Sequence, residues 1–264
     1  MDFLDPITLG GLAAMIFPFC RISGFFATFF VISGSTVPVL VRAMLAMAFT
    51  VCLLPSIPAP PDGLYVFSVQ GVITVFQEVL KGLAIGYMTQ LLAQIFTMAG
   101  QVVAMQTGLG FASLVDPVSG TNAPVVGQFF TILTTLVFFA LDGHLAFFRM
   151  LLLSFETMPM GGGFIPPGGL YSIASFGAFM FQGAVAMSLS AICTMLVVNF
   201  TLGVMTRASP QLNIFSLGFA ISMIVGIVVL VISLNAYMGN FSRDFNGIIE
   251  QTCSLIGTAC EGPF

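Results

Sequence analysis

The chain has 264 residues; 58% are hydrophobic and only 6% charged, with six Lys and Arg against ten Asp and Glu. An ordinary soluble domain carries about 25% charged residues, so these charges cannot cover a water-facing surface of this size. The composition excludes a soluble enzyme, a disordered chain and a nucleic-acid binder, which would need a basic patch. It leaves a polytopic protein of a bilayer, or of a large hydrophobic assembly.

Residues 22–41, 82–115, 117–141, 157–206 and 208–242 contain no Asp, Glu, Lys or Arg, and a membrane span needs about 20 mostly apolar residues. In chain order the pattern predicts helices near 7–32, 37–56, 66–106, 123–156, 171–203 and 210–238. The acidic start before Pro6 lacks the basic residues and cleavage site of a signal peptide, so the first helix is expected to be retained. Pro55, Pro58, Pro60, Pro61, Asp62 and Gly63 mark one connection, and Pro159 to Gly163 with Pro166 to Gly169 another. Asp142, Gly143 and His144 read as a helix break, and Ser209-Pro210 as a cap followed by Pro at the first helical position.

The third helix would measure about 60 Å at 1.5 Å per residue, twice the roughly 30 Å of a hydrocarbon core. It is expected to bend, break or project from the membrane. It carries two polar stripes, Gln70, Thr74, Gln77 and Lys81, then Gln90, Gln94, Thr97 and Gln101. They lie half a turn apart with Gly82 and Gly86 between them, and read as a bend that shows each half's polar face to a different neighbour, as interhelical hydrogen-bond seams or as a water-lined path. Ala186, Ser190 and Thr194, and Gly218, Ser222 and Gly226, are faces that let helices approach closely. Past 238 the apolar residues Phe241, Phe245, Ile248, Ile249 and Ile256 share one face, which predicts a short amphipathic tail helix. There are 29 Phe and 4 Tyr but no Trp, a thin interfacial belt. It is either compositional drift or a sign that the outer surface meets other subunits. Arg42 and Arg207 fall near alternate connections, which favours an outside N-terminus.

Ionisable groups in apolar helices are expensive and mark function or pairing. Glu78 and Lys81 stand i, i+3 and are expected to form a buried ion pair, structural rather than a proton relay. An aspartyl protease would need two aspartates on facing helices, and Asp116 precedes Pro117 in a loop. A serine protease would need a base, and His144 is the single histidine. No phosphate-binding glycine motif and no metal-ligand spacing is present, so neither catalysis nor a cofactor or metal is expected. Cys20, Cys52 and Cys193 read as core residues. Cys253 and Cys260 would pair only if they face an oxidising compartment.

The segment 106–128 joins two apolar helices, yet it is rich in Gly and short polar residues and also carries Phe111, Leu114 and Val115. It reads as a re-entrant loop that fills an opening or as an ordered surface loop.

Residues 108–117 (GLGFASLVDP), then Asn122 to Pro124, Gly143 to Leu145, and 202–219 (LGVMTRASPQLNIFSLGF) resemble the FliR family of flagellar type III export-gate proteins. The order and spacing extend from Phe17, Pro18 and Arg21 to the last long helix. The injectisome counterpart SctT is the nearest competitor, and the 108–117 and 209–215 blocks fit the flagellar form better. The resemblance implies an all-α polytopic integral membrane helical bundle, with long bent helices and a C-terminal helical hairpin, within a helical multi-subunit export gate. Residues 1–264 would form one integral membrane domain: a FliP-like part over 1–170, a FliQ-like hairpin over 171–238 and the amphipathic tail over 239–264. It implies a hetero-oligomer with FliP and FliQ, with FlhB and FlhA nearby, in the bacterial inner membrane at the flagellar basal body. That core would pass unfolded flagellar subunits and have no catalytic activity. The loop 106–122, with Gly108, Gly110, Phe111, Leu114, Val115, Asp116, Pro117 and Asn122, would be the plug of the closed channel, and Arg207, Pro210 and Gln211 would form the hairpin loop. A small-solute transporter and an intramembrane protease stand as alternatives.

Overall fold

A computed structural model describes residues 9–34, 37–111, 125–165, 167–208 and 214–258. Among these, all regular structure is helical: α1 (Leu9–Thr28), α2 (Val39–Leu53), α3 (Val69–Thr107), α4 (Val125–Ala140), α5 (Gly143–Thr157), α6 (Pro167–Ala208) and α7 (Ile214–Ile256). Short 3₁₀ turns follow α2 at Leu54–Ser56 and α3 at Leu109–Phe111. Five helices are long and apolar enough to cross a membrane, or six spans if α4 and α5 count as one bent pair. The chain is thus an all-α, polytopic integral membrane protein.

The α4–α5 break has a local cause. Asp142 adopts φ 52°, a left-handed conformation that a right-handed helix cannot carry forward. Its carbonyl accepts from the Leu145 and Ala146 amides and starts α5, and the two helices meet at 68°. α6 starts at Pro167, where a residue without an amide hydrogen fits the first helical position. The expected stop of the last helix near 238 is not observed. α7 runs on to Ile256, because a change from apolar to amphipathic composition alters what the helix faces without breaking its hydrogen bonds. α3 also runs unbroken through Gly82 and Gly86. The Ser209-Pro210 cap lies outside the described residues.

The chain divides into two compact units, one of residues 1–91, 138–177 and 246–264, the other of 92–137 and 178–245. In the first, α1 packs on α2 and against α3. A Cβ on Gly24 would stand 2.5 Å from the Val79 carbonyl oxygen, one on Gly86 2.5 Å from that of Phe25, and one on Gly82 would collide with that of Arg21. These glycines are there for backbone approach. Phe25, Phe26, Phe29, Phe49, Phe138 and Phe148 form a ring cluster beside them, with centroids 5.0 to 6.1 Å apart. Arg42 folds back on the chain before α2, its Nη2 donating to the carbonyls of Gly34 at 2.6 Å and Val37 at 3.0 Å.

The second unit has a core of Phe96, Phe130, Tyr237 and Phe241. Two hydroxyl pairs stitch it, Thr97 with Thr131 and Thr134 with Tyr237, each at 2.8 Å. Gly226 leaves room for Thr107, whose Cβ would lie 2.5 Å from an added methyl.

Gly82→Ala should lower stability by roughly 1–3 kcal/mol through overpacking. Gly239→Ala, where an added Cβ meets nothing within 4 Å, should not. Thermal unfolding of the detergent-solubilised variants checks this; equal melting temperatures would remove the close-approach argument.

Candidate functional site: a buried charge cluster

Three ionisable side chains in the first unit are withdrawn from solvent: Arg21 and Glu78 at 0% exposure and Lys81 at 2%. α1 brings Arg21, and α3 brings Glu78 and Lys81 one turn apart. Glu78 sits between the two cations. Arg21 Nε donates to Glu78 Oε2 at 2.6 Å, with Nη2 at the same distance from that oxygen. Lys81 Nζ donates to Glu78 Oε1 at 2.9 Å.

The rest of the guanidinium is taken up by the end of α5. Nη1 donates to the Ser154 carbonyl at 2.6 Å and to Ser154 Oγ at 3.1 Å, and Nη2 to the Met158 carbonyl at 2.7 Å. The guanidinium carbon lies 4.1 Å from the Phe155 ring centroid, a cation–π placement. Arginine carries five N–H donors in a fixed planar fork, and five contacts surround it.

Two cations and one anion leave a formal excess of one positive charge. The acceptors answer it: Ser154 is in the last turn of α5, Met158 is its C-cap, and Lys81 Nζ also reaches the Pro159 carbonyl at 3.3 Å. The last carbonyls of a helix are unsatisfied and carry about half a negative charge. Lys81 further lines a cavity of about 250 Å³ with Thr157 to Pro159, Gly162 to Phe164 and Ser254 to Gly257. Among the described residues no second carboxylate is in ion-pair contact with the cluster. The arrangement ties α1, α3 and α5 together; a proton relay would need another acid in reach.

Sequence reading paired Glu78 with Lys81 by spacing but left Arg21 without a partner. Arg21 and Glu78 are 57 residues apart, and backbone carbonyls carry no residue signature. Of the polar stripes, Ser33 Oγ donates to Gln90 at 3.2 Å and Thr97 meets Thr131, both hydrogen-bond seams. Gln77 Oε1 is buried without a partner. Asp142 is the αL residue of the elbow, and the His144 ring lies against Phe139 and Phe148. The exposed Asp142 side chain makes no capping hydrogen bond, and His144 Nδ1 is buried without a hydrogen-bond partner. Of the connection after α3, Gly108 has φ +79° and Gly110 and Phe111 belong to the 3₁₀ turn. Leu114, Val115, Asp116, Pro117 and Asn122 lie outside the described residues, as do Pro210 and Gln211. Arg207 is exposed in the last turn of α6.

Removing the central acid should cost most. Glu78→Gln leaves two buried cations facing each other and should destabilise by about 3–5 kcal/mol. Glu78→Gln combined with Lys81→Met should cost less than the sum of the two single changes. Thermal unfolding of the solubilised protein measures the cycle; additive losses would contradict the pairing.

The comparisons with known proteins agree over most of the chain. Residues 12–248 match the family described as bacterial export proteins, family 1. The chain is 32% identical to the flagellar biosynthetic protein FliR of Escherichia coli K12 over 219 residues, 83% of each chain. It is 33% identical to that of Pectobacterium carotovorum over 219 residues, again 83% of each. It is 29% identical to that of Aquifex aeolicus over 242 residues, 90% of this chain and 93% of the other.

Proposed function

Because the chain belongs to the FliR family of bacterial export proteins and is a component of a flagellar export apparatus, we propose that it is a channel subunit of the flagellar type III export gate. In this reading it sits in the bacterial inner membrane at the basal body. It assembles with FliP and FliQ, with FlhB and FlhA nearby, into a closed path for unfolded flagellar subunits. The chain itself performs no catalysis.

The observation that carries the multi-subunit reading is on the outer faces of the long helices. Gln182 and Asn199 on α6 and Asn235 on α7 are exposed on helices apolar enough to span a bilayer. Lipid cannot satisfy a carboxamide, and another polypeptide can. Between Leu189 and Arg207, α6 is exposed on nearly every side, so a lone chain leaves it uncovered. The named flagellar relatives favour the flagellar gate over its injectisome counterpart. A solute transporter would work when reconstituted alone, and an intramembrane protease would depend on Asp142 or His144.

The stretch 106–122 is proposed as the plug. Gly108 takes the chain out of α3 with a positive φ that other residues resist, and the apolar bulk of Phe111, Leu114 and Val115 suits closure by dewetting.

Co-expression with FliP- and FliQ-like partners should convert a heterogeneous lone chain into a stable, copurifying complex, read by size-exclusion chromatography and mass spectrometry. A monodisperse, heat-resistant monomer would count against the gate assignment.

Replacing 109–121 with a few Gly and Ser residues should spare assembly and make the inner membrane leak, measured as ion conductance. An assembled complex as tight as the parent would reject the plug.

A further inference from the structure

The buried charge cluster has one donor to spare. The Arg21 guanidinium is enclosed by its acceptors and by the Phe155 ring. Both Glu78 oxygens are taken, Oε2 by Arg21 and Oε1 by Lys81. An ammonium has three N–H donors. Lys81 Nζ meets two acceptors, Glu78 Oε1 at 2.9 Å and the Pro159 carbonyl at 3.3 Å. Among the described residues no acceptor takes the third.

The uncompensated charge lies on the same side. Two cations against one carboxylate leave a formal excess of one. The end of α5 returns only about half a charge, and delivers it at Arg21 through the Ser154 and Met158 carbonyls. Lys81 is 2% exposed, yet it lines the cavity of about 250 Å³. Its ammonium stands at the cavity's edge, because Pro159, whose carbonyl it reaches, is a lining residue too. We propose that this cavity is a binding site for a small monocarboxylate, which accepts the third N–H of Lys81 and neutralises the cluster.

The cavity lies wholly within the first unit, between α3, the end of α5 with the connection that follows, and the last turn of α7. A single water needs about 10–15 Å³ of such space, so an organic acid of a few carbons fits. Met158, Phe164, Leu255 and Ile256 give it apolar walls, which a halide would leave unused. Ser254 is exposed on the lining and offers a hydroxyl. Among the described residues, the Gly163 and Phe164 amides donate to no backbone carbonyl, so two further donors border the space. No Asp or Glu is among the described lining residues, and Glu156, beside Thr157, is turned to solvent. The lining holds no second cation either. A dianion such as phosphate or a dicarboxylate would therefore bring one negative charge more than the cluster can match, at a depth where an unpaired charge is expensive.

Acetate is the probe. The protein is purified from native membranes in mild detergent, with whatever subunits accompany it, in a buffer free of carboxylates. Equilibrium dialysis against radiolabelled acetate compares the parent with Lys81→Met and Ser254→Trp, and the melting temperature reports whether each variant is folded. Lys81→Met removes the donor and leaves the Arg21–Glu78 pair. Ser254→Trp fills the cavity from an exposed position and leaves the cluster intact, so if one variant unfolds the other decides. The parent should bind acetate saturably, one per copy of this chain after subtraction of the Lys81→Met signal. Formate should displace it, and sulfate at equal ionic strength should not. Lys81→Met should bind about tenfold or more weaker, the loss expected for one charge-assisted hydrogen bond, and Ser254→Trp should bind as weakly. Absence of saturable binding in the parent, undiminished affinity in either folded variant, or displacement by sulfate as effective as by formate would each overturn the proposal. An acidic side chain of a neighbouring subunit already seated in the cavity would give the first of these results.

Discussion

A guanidinium deep in an apolar fold must find an acceptor for every N–H, since each unsatisfied one costs more than the contact is worth. Arg21 meets this demand with one carboxylate and the end of one helix. The geometry of the first unit follows from it. α5 must end at Thr157 so that the Ser154 and Met158 carbonyls face α1. Gly24, Gly82 and Gly86 must lack side chains so that α1 approaches α3 closely enough for Glu78 to lie between Arg21 and Lys81. The αL turn at Asp142 sets the direction from which α5 arrives. Breaking the cluster should therefore loosen three helices rather than one contact.

The second unit is held differently. Among its described residues the joints are hydroxyl pairs, glycine contacts and tilted aromatic rings. Its ion pair of Arg243 with Asp244, at 3.0 Å, has an arginine that is 61% exposed. Asp244 Oδ2 is buried without a hydrogen-bond partner. Hydrogen bonds between side chains of membrane helices average well under 2 kcal/mol, so these joints are individually weak. Weak joints together with broad uncovered faces suit a surface completed by neighbouring subunits.

Much of this was legible in the sequence, for physical reasons. Uncharged runs marked α4, most of α6 and α7 and the second half of α3, because the cost of a charge in hydrocarbon is large and local. Asp142-Gly143 announced the elbow through backbone preference. The i, i+3 spacing of Glu78 and Lys81 announced their contact. The continuation of α7 to Ile256 was not legible, since amphipathicity reports surroundings and not helix ends. Nor was the partner of Arg21, because its acceptors are backbone carbonyls and a glutamate on another helix. Gly82 and Gly86 were visible as a pair, but one sequence cannot tell a bend from a close approach. The family resemblance joined the 108–117 and 202–219 blocks into one assignment, which periodicity alone could not do.

The central claim is that this chain completes its fold within a multi-subunit export gate. Electron cryomicroscopy of the complex purified through this chain from native membranes tests it most directly. The account predicts protein density against the faces bearing Gln182, Asn199 and Asn235, with each carboxamide hydrogen-bonded to a neighbouring subunit. A detergent or lipid belt covering those faces, around a particle containing this chain alone, would contradict it.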